Sequence, residues 1–229
     1  MKSNVKNRRG FTLVELLVVI VIIASLAGLT APMVIRQRKK ADQTEAISNA
    51  RQIGFAFLEF DNEYGSLPGT SSLAQLDTTA TILGVAGANS NGYFKMLMQA
   101  DLTQSEAIFY AKARGTIKPD SNISSDAEAL KAREVGFGYV AIGTEGLSSA
   151  GNPARPCLVA PLTQGAATLD PAPFDKNLVV LRMDNSAASL KMRVASGTTV
   201  GTVSQGGTDL FASTNPVWDG ATPSIKPPL

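Results

Sequence analysis

A chain of 229 residues with 44% apolar content is long enough for one sizeable domain and an appended element. It has no histidine and one cysteine, Cys157, so the commonest general base, an intrachain disulfide and a thiolate metal cluster are all excluded. The formal charge of +2 hides an asymmetry, because beyond residue 40 there are 13 bases against 18 acids, a balance of −5 that excludes nucleic acid held through its phosphates.

The missing positive charge lies at the start. Lys2, Lys6, Arg8 and Arg9 occupy the first ten residues without an acid, and Arg36, Arg38, Lys39 and Lys40 form a second basic cluster. Between them, Leu16 to Ile35 are twenty uncharged residues. At about 1.5 Å per helical residue they match a hydrocarbon core of about 30 Å, so one bilayer span is expected. Four bases on each side leave its orientation unset by the positive-inside rule. The later cluster reads first as interfacial anchors that reach lipid headgroups. Glu15 opens the apolar run, where a carboxylate carries an insertion penalty unless a cation meets it. A cleavable secretory signal fits the segment passably, with Ser25-Leu26-Ala27 as small residues, and an uncleaved signal anchor fits it too; both leave Glu15 unexplained.

The stretch Arg8-Arg9-Gly10-Phe11-Thr12-Leu13-Val14-Glu15-Leu16-Leu17-Val18-Val19-Ile20 resembles the leader and helix start of type IV pilins and type II secretion pseudopilins. Pro32 also falls where those families commonly carry proline. The resemblance implies a leader peptide at 1–10, a transmembrane and assembly helix at 11–35, and a periplasmic or extracellular pilin-like domain at 36–229. It further implies cleavage after Gly10 by a prepilin peptidase and methylation of the new N-terminus at Phe11. Glu15 would pair with a Phe11 ammonium, its own or an adjacent subunit's, during polymerisation on an inner-membrane assembly platform. The implied partners are that peptidase, other pilin or pseudopilin subunits, the platform and the bilayer. The implied course runs from inner-membrane precursor to a fibre in the periplasm or at the cell surface. Cutting at Gly10 gives Glu15 a cation four residues away, and a polar group that must find one partner in an apolar interface sets register.

Apolar spacing continues beyond the span through Ala41, Ala46, Ile47, Ala50, Ile53, Phe57 and Leu58, so one helix is expected from about Phe11 to Asn62, apolar in its first half and amphipathic in its second. Pro32, with Gly28 one turn earlier, favours a kink. Gly65 and Pro68 are ordinary stop signals, and Tyr64 to Pro68 resembles the same boundary in pseudopilins. Residues 69–92 read as a long loop. Thr103-Gln104-Ser105-Glu106 and Ser125-Asp126-Ala127-Glu128 both have the capping-box form and predict short helices at Ala107–Arg114 and Ala129–Glu134.

After Gly136 the pattern turns to strands, at Phe137–Ile142, Leu158–Leu162, Leu178–Met183 and Ser189–Val194, with a hairpin over Asp184-Asn185-Ser186. Gly136-Phe137-Gly138-Tyr139 lacks the third glycine and following helix of a dinucleotide fingerprint and reads as a closely approached strand. The tail from Gly197 is rich in Gly, Thr, Ser and Pro, and reads as draped over the sheet or partly disordered, with Trp218 to pin it. The expected fold class is α+β and pilin-like, a long N-terminal helix packed on a small C-terminal antiparallel sheet.

Chemistry is hard to place. Asp120 to Glu128 alternate oxygen-bearing side chains as a calcium loop does, but Ser125 stands where the turn needs glycine and Lys131 where the bidentate Glu should be. Some major pseudopilins hold calcium in a C-terminal loop; the positions here do not match that pattern. Cys157 reads as a small buried hydrophobe. No metal, cofactor or catalytic residue is therefore expected, and the reading is a fibre subunit rather than an enzyme. The alternatives are a major type IV pilin for adhesion or motility and a membrane-tethered periplasmic binding module with a pilin-like leader.

Overall fold

The computed structural model describes residues 11–196 and 198–229; Gly10 and the rest of the expected leader lie outside the described residues. The chain divides into two compact units, the first ending at Arg38 and the second running from Lys39 to Leu229. Helix α1, Leu13–Tyr64, contributes to both.

In the first unit the apolar side chains are uncovered. No large apolar side chain from Leu13 to Ile35 that is described is less than 46% exposed. Its polar side chains turn inward on the helix itself: the Ser25 hydroxyl donates to the Val21 carbonyl at 2.8 Å and that of Thr30 to the Leu26 carbonyl at 3.1 Å. That is how hydroxyls are satisfied where water is absent. Among the described residues α1 is the one helix long and apolar enough to cross a membrane.

In the second unit α1 buries one stripe, Ala46, Ala50, Ile53, Phe57 and Phe60, at the three-to-four-residue spacing that places side chains on one helix face. The alanines allow close approach, and Gly54 allows more: a Cβ there would overlap Asn185 Oδ1. The aromatic members engage the sheet. Phe57 lies 5.6 Å from Tyr139, which stacks on Tyr93 at 4.6 Å, and Phe94 stacks on Phe109 at 4.9 Å. The buried Tyr139 hydroxyl donates to the Pro68 carbonyl at 2.7 Å.

After α1 come a short helix α2, Thr70–Leu73, and α3, Ser90–Gln99, whose cap is Asn89 accepting from the Gly92 N–H. The main sheet holds β1 (Gly138–Ile142), β2 (Pro156–Ala160), β3 (Asn177–Arg182), β4 (Ala187–Lys191) and a last strand, β9 (Pro223–Lys226). Two-residue strands form two small ribbons between β4 and β9: β5 (Arg193–Val194) with β6 (Gly201–Thr202), and β7 (Ser204–Gln205) with β8 (Thr208–Asp209). The main sheet is antiparallel in the order β4-β3-β2-β1-β9. Every residue of β2 is buried, so both faces are covered at the centre of the sheet. The structure is thus the expected α+β arrangement.

Several local expectations change. Residues 69–92 are not one loop, because α2 and the start of α3 lie within them. The helix expected at Ala107–Arg114 is a single 3₁₀ turn, Glu106–Phe109, and Ala129–Glu134 forms turns. The physical reason is visible at Glu106, which is drawn into the core instead of folding back to cap a helix at Thr103. The strand expected at Ser189–Val194 begins earlier and breaks at Met192, and the hairpin turn places Asn185 at φ 60°, a conformation that asparagine tolerates. The tail is no mere drape: β9 pairs with β1 in the register Tyr139↔Lys226 to Ile142↔Pro223. Trp218 is fully buried, and its indole N–H donates to the Leu210 carbonyl at 2.6 Å. At Gly136 a side chain would collide with the Ala111 backbone, the close approach that the glycine pair implied.

Candidate functional site: the first turn of the N-terminal helix

Phe11 is exposed and precedes the helix, and Thr12 is its cap. The Thr12 N–H donates to Glu15 Oε2 at 2.8 Å, the Thr12 hydroxyl donates to the same oxygen at 2.7 Å, and the Glu15 N–H returns to the Thr12 hydroxyl at 3.2 Å. This is a reciprocal capping box, which satisfies donors that the first turn leaves without partners and sets a carboxylate at the positive end of the helix dipole. All three hydrogen bonds run between Thr12 and Glu15, and the carboxylate takes part through Oε2 alone. Glu15 therefore has two chemical tasks open to it, one within its own helix and one outward.

The basic cluster at the far end of the apolar run does not act as one group. Arg36, Arg38 and Lys40 are exposed, whereas Lys39 donates to the Ala172 carbonyl at 2.8 Å inside the second unit. One of the four expected anchors is thus tied to the domain.

Residues 5–31 match the model of the prokaryotic N-terminal methylation motif. Relatives include the type II secretion system core protein G of Escherichia coli K12, 36% identical over 95 residues, 40% of this chain and 64% of that protein. The core protein G of Dickeya chrysanthemi is 46% identical over 44 residues, 19% of this chain and 29% of that protein, and that of Pectobacterium carotovorum is 36% identical over 77 residues, 33% and 49%. Over its N-terminal part the chain is thus similar to type II secretion proteins and carries the methylation motif. It spans 64% or less of the length of these relatives. No solved structure matches it.

The described part of the matched motif is exposed, and the other candidate loops are spent on structure. In the Asp120–Glu128 segment, the Lys131 ammonium lies 2.8 Å from Asp120 Oδ2 and 2.7 Å from Glu128 Oε2, and these partners raise its pKa, Asp120 most. Asp126 turns away to Lys95, at 3.2 Å, so the ligand order of a helix-loop-helix calcium site is not formed. Cys157 is buried in β2, and burial pushes its thiol pKa up, the setting of an inert cysteine. Sequence reasoning missed the box at Thr12-Leu13-Val14-Glu15, although the Thr-x-x-Glu signal was there to read.

Proposed function

We propose that the chain is a structural, non-catalytic subunit of a type II secretion pseudopilus or a related type IV pilus-like fibre. It is made as a single-pass inner-membrane precursor with its domain in the periplasm, cut after Gly10 by a prepilin peptidase, methylated at Phe11 and polymerised through its N-terminal helix on an inner-membrane platform. The observation that carries this is a helix exposing every described large apolar side chain over Leu13–Ile35 and opening on Phe11 and Glu15. A helix apolar on all sides needs a cover, and lipid before assembly and sister helices after it both provide one. All three of these relatives are named for type II secretion, which favours the pseudopilus over an adhesive pilus.

Glu15 supplies selection. Its Oε2 is occupied by the cap, which fixes the side chain's direction, and the carboxylate as a whole attracts the ammonium that cleavage creates at Phe11 of an adjacent subunit. Apolar contacts alone allow helices to slide; an ion pair in an apolar fibre core allows one stagger. Arg36, Arg38 and Lys40 hold the precursor at the headgroup level. The test is Glu15→Ala and Glu15→Val in cells that assemble fibres: membrane insertion and cleavage after Gly10 persist, read by fractionation and by mass spectrometry of mature N-terminal Phe11, while incorporation into sheared fibres is lost. Parental amounts of variant in the fibres would sink the assignment.

A further inference from the structure

Three carboxylates converge in the domain, remote in sequence from the assembly segment. Glu106 comes from the 3₁₀ turn, and Asp120 and Glu134 from the loop between that turn and β1; one oxygen of each lies within 4.8 Å of the others. Glu106 is 1% exposed and Glu134 2%, whereas Asp120 faces solvent. Backbone N–H groups aim all three: Leu130 donates to Glu106 Oε1 at 2.6 Å, Lys131 to Glu134 Oε2 at 2.8 Å and Asn122 to Asp120 Oδ1 at 2.9 Å. One oxygen is left over. Glu106 Oε2 is buried and accepts no hydrogen bond.

A buried carboxylate without a partner is costly and demands either a cation or a proton. The nearest ammonium, on Lys131, makes both of its ion pairs with the outer carboxylates Asp120 and Glu128. It does not serve the inner pair.

We propose that Glu106, Asp120 and Glu134 form a binding site for a hard divalent cation of the calcium type. Oxygens up to 4.8 Å apart fit around one ion at oxygen distances of about 2.3–2.6 Å, and an irregular set from one turn and one loop suits calcium better than the strict octahedron of magnesium. Carboxylates with neither imidazole nor thiolate disfavour zinc and copper. Bound there, the ion ties the 3₁₀ turn to both ends of the loop and satisfies Glu106 Oε2. Because the three residues are distant in sequence, no motif announces them. The rival is a proton shared between Glu106 and Glu134, which has the same geometry and the opposite responses.

The experiment uses the full-length chain in detergent, stripped with a chelator and titrated with calcium chloride by calorimetry and thermal unfolding. One calcium per chain is expected, with the melting temperature rising as calcium is added; at a concentration about 100 times the dissociation constant the folded-to-unfolded ratio increases about 100-fold. Glu106→Gln abolishes binding, and Asp120→Asn, at an exposed position where folding is not at stake, weakens it at least tenfold. Lys131→Met, by removing the competing ammonium, tightens it. The proposal is overturned if the parent shows no binding at about millimolar calcium, the weak end of biological calcium sites. It is equally overturned if Glu106→Gln and Asp120→Asn bind like the parent, or if stabilisation follows pH and ignores calcium. Since the readout is on the isolated chain, its failure leaves the assembly reading intact.

Discussion

Two segments of this chain share the pattern Thr-x-x-Glu and come to opposite ends. At Thr12–Glu15 the glutamate folds back on its threonine and opens a helix of 52 residues. At Thr103–Glu106 the glutamate ignores the threonine, accepts from Leu130 N–H across the core, and only a four-residue 3₁₀ turn follows. Local chemistry offers the same box in both places. The difference is what surrounds it: the first glutamate has no tertiary neighbour among the described residues to compete for it, and the second is buried at 1% exposure beside Glu134 and an N–H that needs an acceptor. A capping signal is a bid that tertiary structure can outbid, and each glutamate has gone where its surroundings leave it the most to do.

The comparison can be broken in four ways, in decreasing order of effect. Glu15→Ala removes both the cap and the assembly charge and is expected to eliminate fibre incorporation, whereas Glu15→Gln, which still accepts from Thr12, keeps helix content in circular dichroism but loses incorporation too. Fibres from the Gln variant at parental level would show that capping, not charge, is the function. Glu106→Ala strands the Leu130 N–H in the core and is expected to cost about 1–3 kcal/mol in urea unfolding, while Glu106→Gln keeps that acceptor and, in chelator near pH 4, is near neutral. Equal losses for the two would show that the hydrogen bond is unimportant.

The third prediction concerns pH. Burial, with the charges of Glu134 and Asp120 behind it, raises the Glu106 pKa above the usual carboxylate range. A carboxyl with a raised folded pKa contributes stability that is fully present below its ordinary value of about 4.3 and is lost as pH rises through the folded value. In chelator, the stability of Glu106→Gln relative to the parent should therefore increase as pH rises above about 4.3; a constant difference in denaturation midpoints would contradict this. The smallest effects belong to the threonines. Thr12→Ala should cost about 0.5–2 kcal/mol of local helix stability, seen as faster amide exchange in the first turn, and Thr103→Ala, whose box never forms, should leave the domain's melting temperature unchanged.

The same contest governs what was legible in the sequence. The long helix, four core strands and the β3–β4 hairpin were readable because apolar period and turn chemistry agree with their tertiary setting. The helices α2 and α3 were hidden by Ser, Asn and Gly in their first turns, residues that favour loops but also caps. Strand β9 was hidden by its prolines: Pro223 begins an edge strand, where the missing N–H costs least. At the N-terminus, Phe11 and Glu15 stood out because a charge in an apolar run is rare. The convergence of Glu106, Asp120 and Glu134 is a product of folding and left no pattern to read.

Strand β9 has a kinetic side. It is the last strand in the chain and lies against β1, the first, while Pro227 and Pro228 carbonyls beyond it accept from Ser90 and Gly165. Pairings so distant in sequence form slowly because a long loop must close before they contribute. The domain thus cannot complete its sheet before residues 223–226 reach β1, and until then the edge of β1 stays open to any other strand. If the chain is exported and assembled as proposed, completion of the sheet would fall between those two steps.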